Sequence, residues 1–275
     1  MRNHLAAASV ILTIALLPGV LPSLAQERAE ESAVEANPGR PTVSSPATLT
    51  PVGYLQFENG SLYANTSGEF STRTGINQVT KLTVVRRLEL FVQSEPLAHS
   101  AGSDHPGSHP GEVFAGAQGI LLGGHEGQAT IALSYIHRLY QSPARELDIG
   151  TFRQSASLLV SGDLGGFHID ANAIFAEQVA EPVRRGQFGQ TLSVSHPIGK
   201  VTLSGEIWHF TQPLIRGNAV GNLWAASYPL KPNLVVDGGF DHGLTSTSTH
   251  WEAFVGFTYL LPHRLWKPRD GAKPD

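Results

Sequence analysis

The sequence predicts an all-β protein, an up-and-down antiparallel transmembrane β-barrel of about 12 strands. The first observation is a period-two pattern near the C-terminus, in which one face is apolar and the other is mostly small or polar. The second is the recurrence of strand-like runs of barrel-crossing length from Pro51 onward. The third is the order of the connections, in which short turns alternate with longer loops. Outer-membrane barrels show these three features together.

The stretch Leu234–Leu261 gives the clearest alternation, as two runs around a small polar loop at His242–Thr249. In the second run one side carries Trp251, Ala253, Val255, Phe257 and Tyr259, and the other carries Glu252, Phe254, Gly256 and Thr258. A period of two indicates a strand. Trp251 and Tyr259 would be roughly 20 Å apart along the membrane normal, close to the spacing of two aromatic girdles. A soluble β-sandwich also alternates, so the rest of the chain must repeat the pattern.

Residues 1–25 resemble a secretory signal peptide. A weakly basic start precedes the apolar run Leu5–Leu17, and Ser23-Leu24-Ala25 fits a cleavage site. An uncleaved membrane helix is the alternative, which the Pro18-Gly19 break disfavours. Without Arg2 the chain has 18 basic and 23 acidic residues, a formal charge of 18 − 23 = −5, so nucleic acid is not an expected partner. The chain has no cysteine, which excludes a disulfide framework.

Residues 26–49 contain three prolines and a short acidic cluster but no periodicity. This composition predicts a disordered periplasmic lead-in, with a plug inside the barrel as the alternative. The barrel is predicted to span residues 50–261, and residues 262–275 form a C-terminal tail.

Twelve strands are predicted within the barrel, at Gly53–Ala64, Arg73–Val84, Leu88–Glu95, Glu112–Leu122, Gln128–His137, Gly150–Gly162, Gly166–Ala176, Gln187–His196, Lys200–Thr211, Val220–Tyr228, Asn233–Asp241 and His250–Leu260. An even number places both termini on the short-turn side, which is periplasmic in such barrels. Asn59-Gly60 is a strong hairpin signal inside the first strand, and a bulge is the preferred interpretation because a hairpin would leave too short a second arm.

Three stretches carry a resemblance to a known family: Thr50–Glu58, Thr83–Leu90, and Val236–Thr245 with Phe254–Tyr259. Together they resemble the outer-membrane transporter-like barrels of the "MetA-pathway of phenol degradation" group. The resemblance covers roughly residues 50–261. It implies a bacterial outer-membrane protein that passively transports or binds small, aromatic or hydrophobic molecules. It also implies outer-membrane lipid, a small solute and the barrel-assembly machinery as partners, without a cofactor.

Charged residues on the predicted inward faces are the candidate lumen-lining residues: Lys81, Glu89, Arg153, Asp170, Glu206, Asp237 and Glu252. They either select the solute or simply neutralise one another, because an unpaired charge in a confined lumen is costly. A polar interior also disfavours a soluble ligand-binding barrel.

Three other chemistries are weaker alternatives. His99, Asp104, His105 and His109 are metal-ligand types, but they lie in a Gly/Ser/Pro-rich loop with irregular spacing, so no metal site is predicted. No nucleophile motif supports the lipid hydrolases found among some outer-membrane barrels, so the chain is not predicted to be an enzyme. Adhesion through the long loops remains a further possibility.

Overall fold

The computed structural model describes residues 34–103, 106–124, 128–143, 152–180, 182–214 and 217–266. The chain divides into the units Met1–Ser32 and Ala33–Asp275, and all described residues belong to the second. The predicted signal peptide lies outside the described residues, and so do residues 26–33 of the predicted lead-in and residues 267–275 of the tail. Among the described residues, no helix is long and apolar enough to cross a membrane.

The described residues form thirteen strands, twelve of which build the barrel. Their bounds are β1 Leu55–Asn65, β2 Thr72–Val85, β3 Leu88–Ala101, β4 Gly107–His109, β5 Val113–Leu122, β6 Thr130–Tyr140, β7 Phe152–Leu164, β8 Phe167–Ala180, β9 Val183–Ile198, β10 Val201–Thr211, β11 Asn218–Lys231, β12 Leu234–Gly243 and β13 Trp251–Leu260. Each predicted strand overlaps one of the barrel strands, and β4 is a three-residue addition that pairs with β3.

All strand pairs are antiparallel, and each barrel strand pairs with its neighbour in the sequence, with β5 following β3. The sheet closes where β1 pairs with β13, in a continuous register from Gln56↔Leu260 to Asn65↔Trp251. A closed ring leaves no unpaired strand edge, which a structure inside a lipid bilayer requires. The prediction of a closed 12-stranded up-and-down barrel is therefore confirmed.

The wall separates an apolar exterior from a largely polar interior. In β13, Val255 is 64% exposed while its neighbour Phe254 is 8% exposed, so the predicted faces of this strand are confirmed. Exposed large apolar side chains lie on the outside of other strands too, including Leu90, Leu133 and Ile207. Such an apolar exterior would be unfavourable in water and suits a lipid environment. The chain has the architecture of an outer-membrane β-barrel, as predicted.

One face prediction and the predicted polarity of the interior need correction. A register shift between Phe152 and Gln154 turns Phe152 inward, where it stacks on Phe114 at a ring-centroid distance of 4.7 Å, and it leaves Arg153 exposed. The prediction that Arg153 faces the lumen is therefore wrong, because a bulge changes the phase of a strand. The interior is also less polar than predicted, since Trp208 and Phe210 are buried within it near the long-loop ends of the strands.

Asn59-Gly60 lies within a regular strand. β1 keeps an uninterrupted register with both β2 and β13 across this pair, so neither a hairpin nor the predicted bulge is present. Asp237-Gly238 lies within β12, as predicted.

The disordered lead-in predicted for residues 26–49 does not describe residues 34–49, which have defined hydrogen bonds to the barrel wall. The start of the predicted tail is also held, since Leu265 N–H donates to the Gly53 carbonyl at 2.7 Å. The prolines, the acidic cluster and the lack of periodicity predicted disorder, but long-range polar contacts order residues 34–49.

Candidate functional site: a lumen occupied by the N-terminal segment

Residues 36–50, named here the lumen loop, enter and leave the barrel on the short-turn side. At one end Ala36 N–H donates to the carbonyl of Pro232, in the turn between β11 and β12. Just beyond the other end, Gly53 N–H donates to the Thr83 carbonyl near the β2–β3 turn. The Asn37 side-chain amide reaches Thr48 Oγ1 at 3.3 Å and joins the two arms of the loop.

Carboxylates of the wall accept hydrogen bonds from the backbone of the lumen loop. Glu206 of β10 accepts from Val43 N–H and Ser44 N–H, both at 2.7 Å, and from the Ser44 hydroxyl at 2.6 Å. Glu89 of β3 accepts from Thr50 N–H at 2.9 Å and from the Thr50 hydroxyl at 2.6 Å. Hydrogen bonds to an ionised acceptor are among the stronger ones, so these acids anchor the middle and the end of the loop.

Neutral wall residues satisfy other backbone groups of the loop. Asn172 of β8 accepts from Ser45 N–H at 2.7 Å and donates to the Ser45 carbonyl at 3.0 Å. Ala47 N–H donates to the Ser161 hydroxyl oxygen at 2.7 Å, and that hydroxyl in turn donates to Asp170. The loop thus contacts strands on opposite sides of the barrel.

Arg40 occupies a socket formed by three adjacent strands. Its guanidinium donates to Asp237 of β12 at 3.2–3.4 Å and lies 5.8 Å from the Phe254 ring centroid. Gly60 and Gly256 pair across β1 and β13, and a Cβ on either would lie within 3 Å of the guanidinium. Two glycines therefore provide the space that Arg40 fills.

Glu58 and Lys81 form a second charged contact beneath the loop. Lys81 Nζ lies 2.6 Å from Glu58 Oε1, and the same oxygen accepts from Gly39 N–H at 3.0 Å. Glu58 is 2% exposed, so the lysine and the loop together compensate a buried carboxylate.

Within the described part of the chain, Val43 and Ala47 are the loop residues that join apolar clusters of the wall. Val43 packs against the cluster that contains Leu62 and Phe254 and against the cluster of Trp208 and Phe210. Ala47 packs between Ala132 and Leu159.

Cavities remain beside the lumen loop. The upper cavity, about 310 Å³, lies toward the long loops, and its lining includes Arg40, Trp208, Phe210, Glu252 and Phe254. The lateral cavity, about 280 Å³, lies along the other flank of the loop, and its lining includes Glu58, Lys81, Phe91, Gln93 and Gln118. Both volumes are close to the lower limit of about 300 Å³ for small-molecule sites.

The structure brings most of the candidate lumen residues to the loop or its cavities. Glu89, Glu206 and Asp237 contact the loop directly, and Asp170 does so through Ser161. Lys81 and Glu252 line the cavities, whereas Arg153 is exposed. Of the histidine-rich loop, His99 and His109 belong to β3 and β4, while Asp104 and His105 lie outside the described residues.

Sequence reasoning missed Glu58, Arg40 and the two glycines of the socket. One signal was present, because the predicted inward acids outnumber the predicted inward bases and therefore require a basic group from elsewhere. Arg40, in the presumed lead-in, supplies one.

The geometry defines a transmembrane β-barrel whose lumen is narrowed by its own N-terminal segment. Among solved structures, the chain is similar to "NanC porin structure in rhombohedral crystal form", with a TM-score of 0.53 at 10% identity over 74% of this chain and 98% of that one. It is also similar to "KdgM porin in complex with disordered oligogalacturonate", with a TM-score of 0.51 at 7% identity over 75% of this chain and 98% of that one. Identities this low show a shared fold.

No protein-family model matches the chain, and no curated protein matches it. The resemblance to the phenol-degradation group is therefore not confirmed, while the fold is the one seen in outer-membrane porin barrels.

Proposed function

We propose that the protein is a passive conduit for small molecules across the outer membrane and that the lumen loop limits what passes. The observation that carries this proposal is a polar, charged lumen with a cavity on each flank of the loop, inside a closed wall with an apolar exterior. A polar lumen lets water and solutes replace one another, whereas a packed apolar interior would exclude both.

The fold likeness to two porins supports the same proposal at a general level. The upper cavity adds a finer feature, since its lining combines the aromatic side chains of Trp208, Phe210 and Phe254 with charged groups. This lining favours a small solute that has both an aromatic and a polar part.

Liposome swelling tests the proposal. Vesicles that contain the protein should swell in small amino acids and monosaccharides, and swelling should fall steeply for tri- and tetrasaccharides. Phenylalanine should enter faster than leucine, its aliphatic match. Size alone would predict the opposite, because phenylalanine is the larger of the two.

Protein-free vesicles control for leakage through lipid. Absence of swelling in every solute would contradict the conduit. Release of fatty acid from the vesicle lipid would instead favour the hydrolase alternative.

A further inference from the structure

The lumen loop and the wall are joined mainly through polar groups. Glu58, Glu89 and Glu206 each accept a backbone N–H from the loop, and Asp237 accepts from Arg40. Val43 is the loop residue that packs into the apolar clusters of the upper lumen. Water can replace hydrogen bonds in a polar lumen, whereas a large buried apolar surface would resist removal.

The path of the loop allows its middle to leave without moving the barrel. Both ends lie on the short-turn side, and no strand of the described barrel includes residues 36–50. The twelve-stranded ring closes through β1 and β13 independently of the loop.

Departure of the loop would change the charge of the lumen. The wall around it holds Glu58, Glu89, Asp170, Glu206 and Asp237, and these acids outnumber Lys81 and Arg73, the wall bases that line the cavities beside the loop. On the wall, His168 Nε2 lies 3.3 Å from Asp170 and would stay beside it. Arg40, which pairs with Asp237, would depart with the loop. A ring of carboxylates in a pore favours cations.

We propose that the lumen loop is a displaceable plug and that the wall it covers forms a path for cationic solutes. In the docked state the N–H groups and Arg40 of the loop take the place that a cation would occupy. This inference rests on the proposed conduit and adds to it a closed state and a preferred charge of the solute.

A reversible cross-link tests the plug, because the chain contains no native cysteine. Ser44 Oγ and Thr191 Oγ1, near the middle of the loop and on β9, are 2.8 Å apart. Cysteines at both positions place their sulfurs close enough for a disulfide to form. The conductance of the Ser44→Cys/Thr191→Cys variant is measured in planar bilayers before and after reduction. Because the oxidised and reduced samples carry the same substitutions, the effects of the substitutions themselves cancel.

A second pair is the matched control. Thr50 Oγ1 and Thr83 Oγ1 are 2.7 Å apart at the foot of the loop. A disulfide in Thr50→Cys/Thr83→Cys tethers the foot and leaves the middle of the loop free to move.

For the first pair we expect a large fall in conductance when the disulfide forms, down to what the cavities beside the docked loop can carry, and recovery on reduction. In a KCl gradient the recovered current should reverse near the K⁺ equilibrium potential. The control pair should have the same conductance when oxidised and when reduced. Equal conductance of the oxidised and reduced first pair would overturn the plug and leave the conduit intact, whereas reversal near the Cl⁻ potential would overturn the cation path. Absence of conductance in every sample would overturn both the conduit and the plug.

Discussion

Gly60→Ala should release Arg40 from its socket while the barrel stays folded. A Cβ on Gly60 would lie 2.5 Å from Arg40 Cζ and 2.6 Å from Arg40 Nη2. The clash is with the end of a flexible side chain, so Arg40 moves away and the strand does not. Its hydrogen bonds to Asp237 are then lost. A hydrogen bond to a charged group contributes about 1.5–3 kcal/mol, so docking of the loop should weaken roughly 10- to 100-fold.

Hydrogen exchange of the loop amides measures this effect. The amides of Val43 and Ser44, which donate to Glu206, should exchange roughly 10- to 100-fold faster in Gly60→Ala than in the wild type. Arg40→Ala should accelerate exchange similarly, because it removes the same contact without adding a Cβ.

Gly162→Ala is the matched control for Gly60→Ala. It also lies within a strand, and a Cβ there would meet Ala129 Cβ at an ordinary 3.5 Å. Unchanged loop exchange in Gly60→Ala, or equal acceleration in Gly162→Ala, would refute the reasoning.

Two further predictions concern the wall and its orientation. Leu158→Arg should lose about 2–4 kcal/mol of unfolding free energy in urea titrations in liposomes, because Leu158 is 44% exposed on the lipid face near the middle of β7. Ser157→Arg should lose much less because Ser157 lines the lateral cavity together with Glu58 and Glu89, and equal losses would show that the assigned faces are wrong. An epitope tag inserted at Thr247 should be accessible to antibody on intact cells and one at Lys200 should not, because the long loops are expected outside. The opposite labelling would reverse the orientation.

The architecture was largely predictable because strand alternation is a local property of the sequence. β13 shows this best, since Trp251 to Tyr259 alternate without interruption and the structure keeps that phase. The predicted alternation of inward and outward side chains was wrong at Phe152 and Arg153. A bulge there adds a residue, and no local sequence pattern indicates it. The faces of β5 were not predictable for the same reason, as its pairing with β6 shifts register twice.

The site was only partly predictable because its contacts are distant in sequence. Glu206 meets Val43 across 163 residues, and Arg40 meets Asp237 across 197. The lumen loop lacks periodicity, so its sequence alone predicts disorder. In the structure, individual side chains of the barrel wall form hydrogen bonds with its backbone groups. Gly60 shows the opposite case. The Asn59-Gly60 pair suggested a hairpin, but a glycine is needed here because the guanidinium of Arg40, distant in sequence, packs against it.

Chemical protection of Ser44 tests the central claim most directly. Ser44 is 0% exposed within the lumen, whereas Ser246 lies exposed in the loop between β12 and β13. A polyethylene-glycol maleimide too bulky for the lumen should modify Ser246→Cys rapidly in the folded barrel and Ser44→Cys far more slowly. Both should be modified fully after unfolding. Modification of Ser44→Cys in the folded barrel as fast as that of Ser246→Cys would contradict a lumen occupied by the N-terminal segment.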